Sequence, residues 1–116
     1  MSAERVSVMV VAGRDIALDQ DGYLCDLADW NEAVATALAA SEGMVLTPAH
    51  WEIVHVLQKF YATFQLAPAT RPLIRYVHQE LGAEKGNSLY LNHLFNGKPA
   101  RLAARLAGLP KPVNCI

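Results

Sequence analysis

Thr47-Pro48-Ala49-His50-Trp51-Glu52-Ile53-Val54-His55-Val56-Leu57-Gln58-Lys59-Phe60-Tyr61-Ala62-Thr63-Phe64 is the stretch that decides the fold class. Threonine ahead of proline reads as an N-cap followed by the first helical position, where a missing N–H costs nothing. Behind it Trp51, Val54, Leu57, Phe60, Tyr61 and Phe64 return every three or four residues, which puts them on one broad apolar face. The spacing predicts a long helix that Pro68 closes off. These aromatic side chains read as core rather than as contacts for a cofactor.

Working upstream, Leu27, Trp30, Val34, Ala37 and Leu38 recur at the same helical steps and Gly43 stops the run. Ahead of that, Val6-Ser7-Val8-Met9-Val10-Val11 is rich in β-branched residues, and Ile16-Ala17-Leu18 follows Ala12-Gly13-Arg14. This reads as a β-hairpin turning at Gly13, with Asp21-Gly22 as the next turn and Tyr23-Leu24 returning to the core. Downstream, Thr70 can cap a helix through Leu73, Ile74, Val77 and Leu81 that ends at Gly82. The loop Ala83 to Asn87 leads to a short helix with Leu89, Leu91, Leu94 and Phe95, ended by Gly97. Pro99 then starts a last helix through Leu102, Leu106 and Ala107, with Gly108 at its C′ position and Pro110 beyond. The expected fold is mainly α: a bundle of about five helices with an N-terminal β-hairpin and an extended C-terminal arm. Within one domain, residues 1–24 form the hairpin region, 25–108 the bundle and 109–116 a mobile arm.

The composition agrees with one folded domain. The chain has 116 residues, 53% hydrophobic and 18% charged, which is enough apolar material for one core. No apolar run approaches the roughly 20 residues of a membrane span. Glu4 and Arg5 precede the apolar run Val6 to Ala12, but no small-residue cleavage signal follows it. That run is read as a strand, and the expected location is the cytoplasm. Net charge is −1, yet it is unevenly divided: residues 1–84 hold 5 basic and 11 acidic side chains, residues 85–116 hold 5 and 0. The basic end is either a helix pair that happens to be basic or a face for an acidic protein or RNA.

The two cysteines are Cys25 and Cys115. A reducing compartment argues against a disulfide between them. His50 and His55 stand five apart, on different helix faces, and no Cys or carboxylate completes a metal set around them. Cys25 reads as a small apolar residue. Cys115 is different. Leu109-Pro110-Lys111-Pro112-Val113-Asn114-Cys115-Ile116 carries two alternating prolines, which rule out helix and favour extended geometry. Seven such residues at about 3.1 Å each reach roughly 20 Å beyond the last helix. A thiol at the tip of such an arm can enter another protein's active site. Alone it is not strongly activated: a free cysteine has a pKa of about 8.5, so only a few per cent is thiolate at pH 7. The neighbouring C-terminal carboxylate opposes ionisation further, and Lys111 or the Arg101/Arg105 pair offsets this only if the arm folds back. Termini are commonly tolerant of change, so a tail whose cysteine does nothing stays open at this point.

The arm sequence, preceded by Ala107-Gly108, resembles the C-terminal signature of the DsrC/TusE family. The likeness extends over nearly the whole chain, through Asp21-Gly22-Tyr23-Leu24, Trp30-Asn31, Glu42-Gly43, Leu46-Thr47, His50-Trp51-Glu52, Glu84-Lys85-Gly86-Asn87-Ser88, Tyr90-Leu91 and Leu94-Phe95. Within the family it is most similar to the single-cysteine TusE branch, because Ala104 stands where the sulfite-reductase-linked branch carries a second cysteine. The resemblance implies a helical bundle with an N-terminal hairpin. It also implies a sulfurtransferase that carries persulfide sulfur on Cys115 toward 2-thiolation of tRNA wobble uridine. The implied partners are the TusD subunit of a TusBCD-type donor complex and an MnmA-type thiouridylase, with tRNA met through the latter. Thiol–persulfide exchange needs no metal or organic cofactor. Asn96, Asn114, Leu89 and His93 depart from the family pattern and put partner identity, not the chemistry of Cys115, in question. Two alternatives stand: a helix-turn-helix-like nucleic-acid module around Asn96-Gly97, and a partner of dissimilatory sulfur enzymes.

Overall fold

The structure, a computed structural model, describes residues 7–112. Cys115 therefore lies outside the described residues. Strands β1 (Ser7–Val11) and β2 (Arg14–Leu18) pair antiparallel, with Ser7 opposite Leu18 and Val11 opposite Arg14. Only Ala12 and Gly13 separate them, at φ 50° and 79°. Positive φ at both positions matches the right-handed twist of the flanking strands. The hairpin buries Val11, Ile16 and Leu18, and Leu24 returns to bridge Leu18.

Five α-helices follow: α1 (Glu32–Ser41), α2 (Pro48–Phe64), α3 (Thr70–Leu81), α4 (Ser88–Leu94) and α5 (Pro99–Leu106). The mainly α bundle behind a hairpin agrees with the sequence expectation. One helix does not. The apolar steps from Leu27 to Leu38 predict a single run, but the chain makes a 3-10 turn at Leu27–Asp29, straightens at Trp30 (φ −69°, ψ 136°) and restarts at Glu32. Two caps cause the break. Asp26 accepts the Ala28 N–H at 2.9 Å and Asn31 accepts the Val34 N–H at 2.9 Å. Polar side chains that satisfy orphan N–H groups outweigh a periodicity spanning two short pieces. A smaller difference is at α3, where Thr70 is the first helical residue and Ala69 the cap.

α2 opens as expected at Thr47-Pro48, with a histidine completing the cap: the Thr47 N–H donates to His50 Nδ1 at 3.0 Å. That assigns the His50 proton to Nε2, which donates to the Leu94 carbonyl at 2.8 Å. His50 is 8% exposed and edge-on to Phe95. One imidazole thus ties the start of α2 to the end of α4.

The short last helix lies deepest. α5 packs against each of the other four helices, and six of its eight residues are buried. Its alanines, Ala100, Ala103 and Ala104, let neighbouring backbones approach closely. Around it the core collects Val34, Leu38, Ile53, Leu57, Leu73, Val77, Leu91 and Phe95, all essentially inaccessible. Burying a Leu- or Phe-sized side chain contributes about 1.5–3 kcal/mol, so α5 is held by tertiary packing rather than by its own propensity. No helix among the described residues is long and apolar enough to cross a membrane.

Candidate functional site: the root of the C-terminal arm

The arm leaves from the end of α5, and that end is held from several sides. Gly108 has φ 77°, its N–H donates to the Arg105 carbonyl at 3.2 Å, and the Leu109 N–H reaches back to Ala104 O at 2.9 Å. This pair of bonds is the Schellman closure that a left-handed C′ glycine permits. Two side chains from elsewhere take the next carbonyls. Trp30 Nε1 donates to Leu106 O at 2.8 Å, and Gln58 Nε2 donates to Ala107 O at 3.0 Å. A Cβ on Gly108 would lie 2.5 Å from the Trp30 indole, so the close approach needs glycine twice over.

The chain stays on the body after that. Leu109 is 4% exposed and Pro112 is buried, whereas Pro110 and Lys111 face outward. Lys111 Nζ lies 3.4 Å from Asp21 Oδ2. The reach of the tip is therefore counted from Pro112 rather than from Gly108. Covalent geometry allows Cys115 a Cα position at most about 11 Å from that of Pro112.

Beside the root, Arg105 is the main cross-link. Its Nε donates to Gly22 O at 2.7 Å, its Nη1 pairs with Glu42, and its side chain is 13% exposed. Tyr23, 2% exposed, donates its hydroxyl to Arg101 O at 3.2 Å. The Asp21-Gly22-Tyr23 turn is thus fastened to α5, with the Tyr23 N–H and Asp21 N–H both held by Asp19 Oδ1. Arg105 and Lys111, two of the cations expected to offset the charge next to Cys115, are already engaged by Glu42 and Asp21.

The same pairing resolves the uneven charge. Lys85 meets Glu52, Arg105 meets Glu42 and Lys111 meets Asp21, so three of the five cations after residue 84 face carboxylates from the acidic part. Much of the basic end is complementary to the rest of the chain. A hydrogen bond to Glu52 holds the Lys85 amine above its ordinary pKa. Among the described residues no three His, Cys, Asp or Glu side chains are grouped to hold a metal ion. His55 stacks on Trp51, and Cys25 is half-buried with its N–H on Ala17 O.

The family described as "DsrC like protein" matches residues 10–116, through the arm root and the tail beyond it. The chain belongs to the DsrC-like family. Among curated relatives, Sulfurtransferase TusE of Pectobacterium atrosepticum is 51% identical, covering 90% of this chain and 95% of the relative. Sulfurtransferase TusE of Salmonella choleraesuis is 45% identical, covering 94% and 100%. Among solved structures, the NMR structure of Allochromatium vinosum DsrC superposes with a TM-score of 0.85 at 43% identity, covering all of both chains. The oxidized gamma-subunit of the dissimilatory sulfite reductase (DsrC) from Archaeoglobus fulgidus gives 0.81 at 36%, covering 95% and 100%. The resemblance read from the sequence and the bundle with its hairpin both hold. Asn96, one of the departures from the family pattern, sits at φ 53°, a conformation closed to proline.

Sequence reasoning identified the arm but not its anchors. The spacing of Trp30 marks it as one step of an apolar helical face, and nothing in that spacing reveals an indole N–H aimed at a carbonyl. Gln58, a polar residue one step from the apolar face of α2, gave no signal at all.

Proposed function

We propose that the protein is a sulfur-relay sulfurtransferase that carries sulfur on Cys115 for 2-thiolation of tRNA wobble uridine. The observation that carries this reading is the near-full-length identity, 45–51%, to proteins named Sulfurtransferase TusE. The Cys115 thiolate attacks the outer sulfur of a donor persulfide. A new S–S bond forms on Cys115, the donor S–S bond breaks, and the donor departs as a thiol with the proton Cys115 gave up. One sulfur atom moves and no net electrons are exchanged, so the step calls for no cofactor. Donor and acceptor are then a TusBCD-type complex, through its TusD subunit, and an MnmA-type thiouridylase in the cytoplasm. Ala104 is fully buried and carries no sulfur, which limits the transfer to one cysteine on the arm.

The helix-turn-helix alternative fits poorly. A recognition helix offers a face to the DNA groove, yet only Arg101 and Arg105 of α5 escape burial, and Arg105 is engaged by Glu42. Reconstitution tests the proposal. With donor complex, thiouridylase and tRNA present, wild type supports 2-thiouridine formation and Cys115→Ser does not. Equal product from both proteins rejects Cys115 as the carrier.

A further inference from the structure

Next to the arm root lies a cleft of about 80 Å³ walled by Asp21, Tyr23, Glu42, Lys98, Arg101 and Arg105. Its two carboxylates are already neutralised, Glu42 by Arg105 and Asp21 by Lys111. Lys98 and Arg101 are exposed and, among the described residues, neither has a carboxylate within ion-pair distance. They also stand at the cap and in the first turn of α5, where the helix end is already positive and cations are locally unfavourable. Two cations with no carboxylate partner among the described residues, at an electrostatically adverse position, are hard to explain by folding alone.

Resting on the sulfur-relay reading, we infer that Lys98 and Arg101 form the docking contact for an acidic rim around the sulfur-handling cysteine of a protein partner. Reach fixes the place. With Cys115 held within about 11 Å of Pro112, any protein whose cysteine meets it must sit against the arm root. Lys111 joins that root to Asp21, on the wall of the same cleft. Size and sign fix the chemistry. The space admits one carboxylate-bearing side chain and not a nucleotide. Charge contacts at such a rim act mainly on association rate and its salt dependence.

The test compares wild type with Lys98→Glu/Arg101→Glu. Both side chains are exposed, and negative charge suits the first turn of α5, so the variant keeps its fold. Cys115 is loaded from glutathione persulfide, and separately from a TusBCD-type donor complex bearing labelled persulfide sulfur. The expected result is equal loading from glutathione persulfide. From the donor complex at low salt, loading of the variant is slower by about tenfold, a gap that closes in about 0.5 M salt. Equal rates from the donor complex at low salt overturn the inference. So does an equal loss with glutathione persulfide, which places the cations on the thiol rather than on a partner. A defect that appears only when tRNA is added assigns the site to RNA and also overturns it. Failure of the relay reading itself looks different: Cys115→Ser would still take up sulfur from both sources.

Discussion

Gly108 bears two constraints that no other residue satisfies together. Its φ of 77° is costly for an L side chain, and the Trp30 indole occupies the space a methyl would need. Gly108→Ala is expected to lower stability by about 2–4 kcal/mol, read from urea denaturation at constant m. Trp30→Phe keeps most of the packing but strips the donor from Leu106 O, and about 1–3 kcal/mol should go with it. A loss below half a kilocalorie in Trp30→Phe would mean water replaces the indole without cost. At residue scale the sequence was only partly legible. Gly108 announced itself through its place between a periodic helix and a proline. The partners of Trp30 and His50 did not, because a hydrogen bond between residues 76 or 44 positions apart leaves no local pattern.

Elements were legible where propensity, capping and period agreed. α2 is the clearest case, since Thr47, Pro48 and the aromatic stripe all point to one helix. They were illegible where two signals competed, as between Asp26 and Asn31, whose caps cut a continuous apolar period into a 3-10 turn and α1. Asn31→Ala removes the cap of α1 and should cost about 0.5–2 kcal/mol, measured by thermal or urea unfolding. The loop after α3 offers a pH prediction. Lys85, raised above its ordinary value first by its hydrogen bond to Glu52, favours the folded state while protonated. That contribution is complete below the ordinary lysine pKa and fades as pH rises through the raised one. The urea midpoints of wild type and Lys85→Met should therefore differ by a constant amount between about pH 6 and about pH 9, and converge only at more alkaline pH. Convergence already at neutral pH would contradict the assignment.

At the scale of the whole molecule, the acidic and basic portions of the sequence meet one another. A linear tally of charge sees an asymmetry, but the fold pairs three of the five late cations with Glu52, Glu42 and Asp21 and leaves Lys98 and Arg101 exposed beside the arm. The placement of α5 explains why the arm starts from a rigid point. The helix that ends at Gly108 is packed on every other helix, and Leu109 and Pro112 carry the chain along the body before the cysteine. Such a carrier has a fixed root and a short reach, so its partners must come to it. Intact-mass spectrometry after incubation with a persulfide donor decides whether Cys115 carries the sulfur. An adduct of about 32 Da is expected on wild type, mapped to Cys115 and reversed by a thiol reductant, with none on Cys115→Ser. An adduct of equal yield on Cys115→Ser, carried by Cys25, would contradict it.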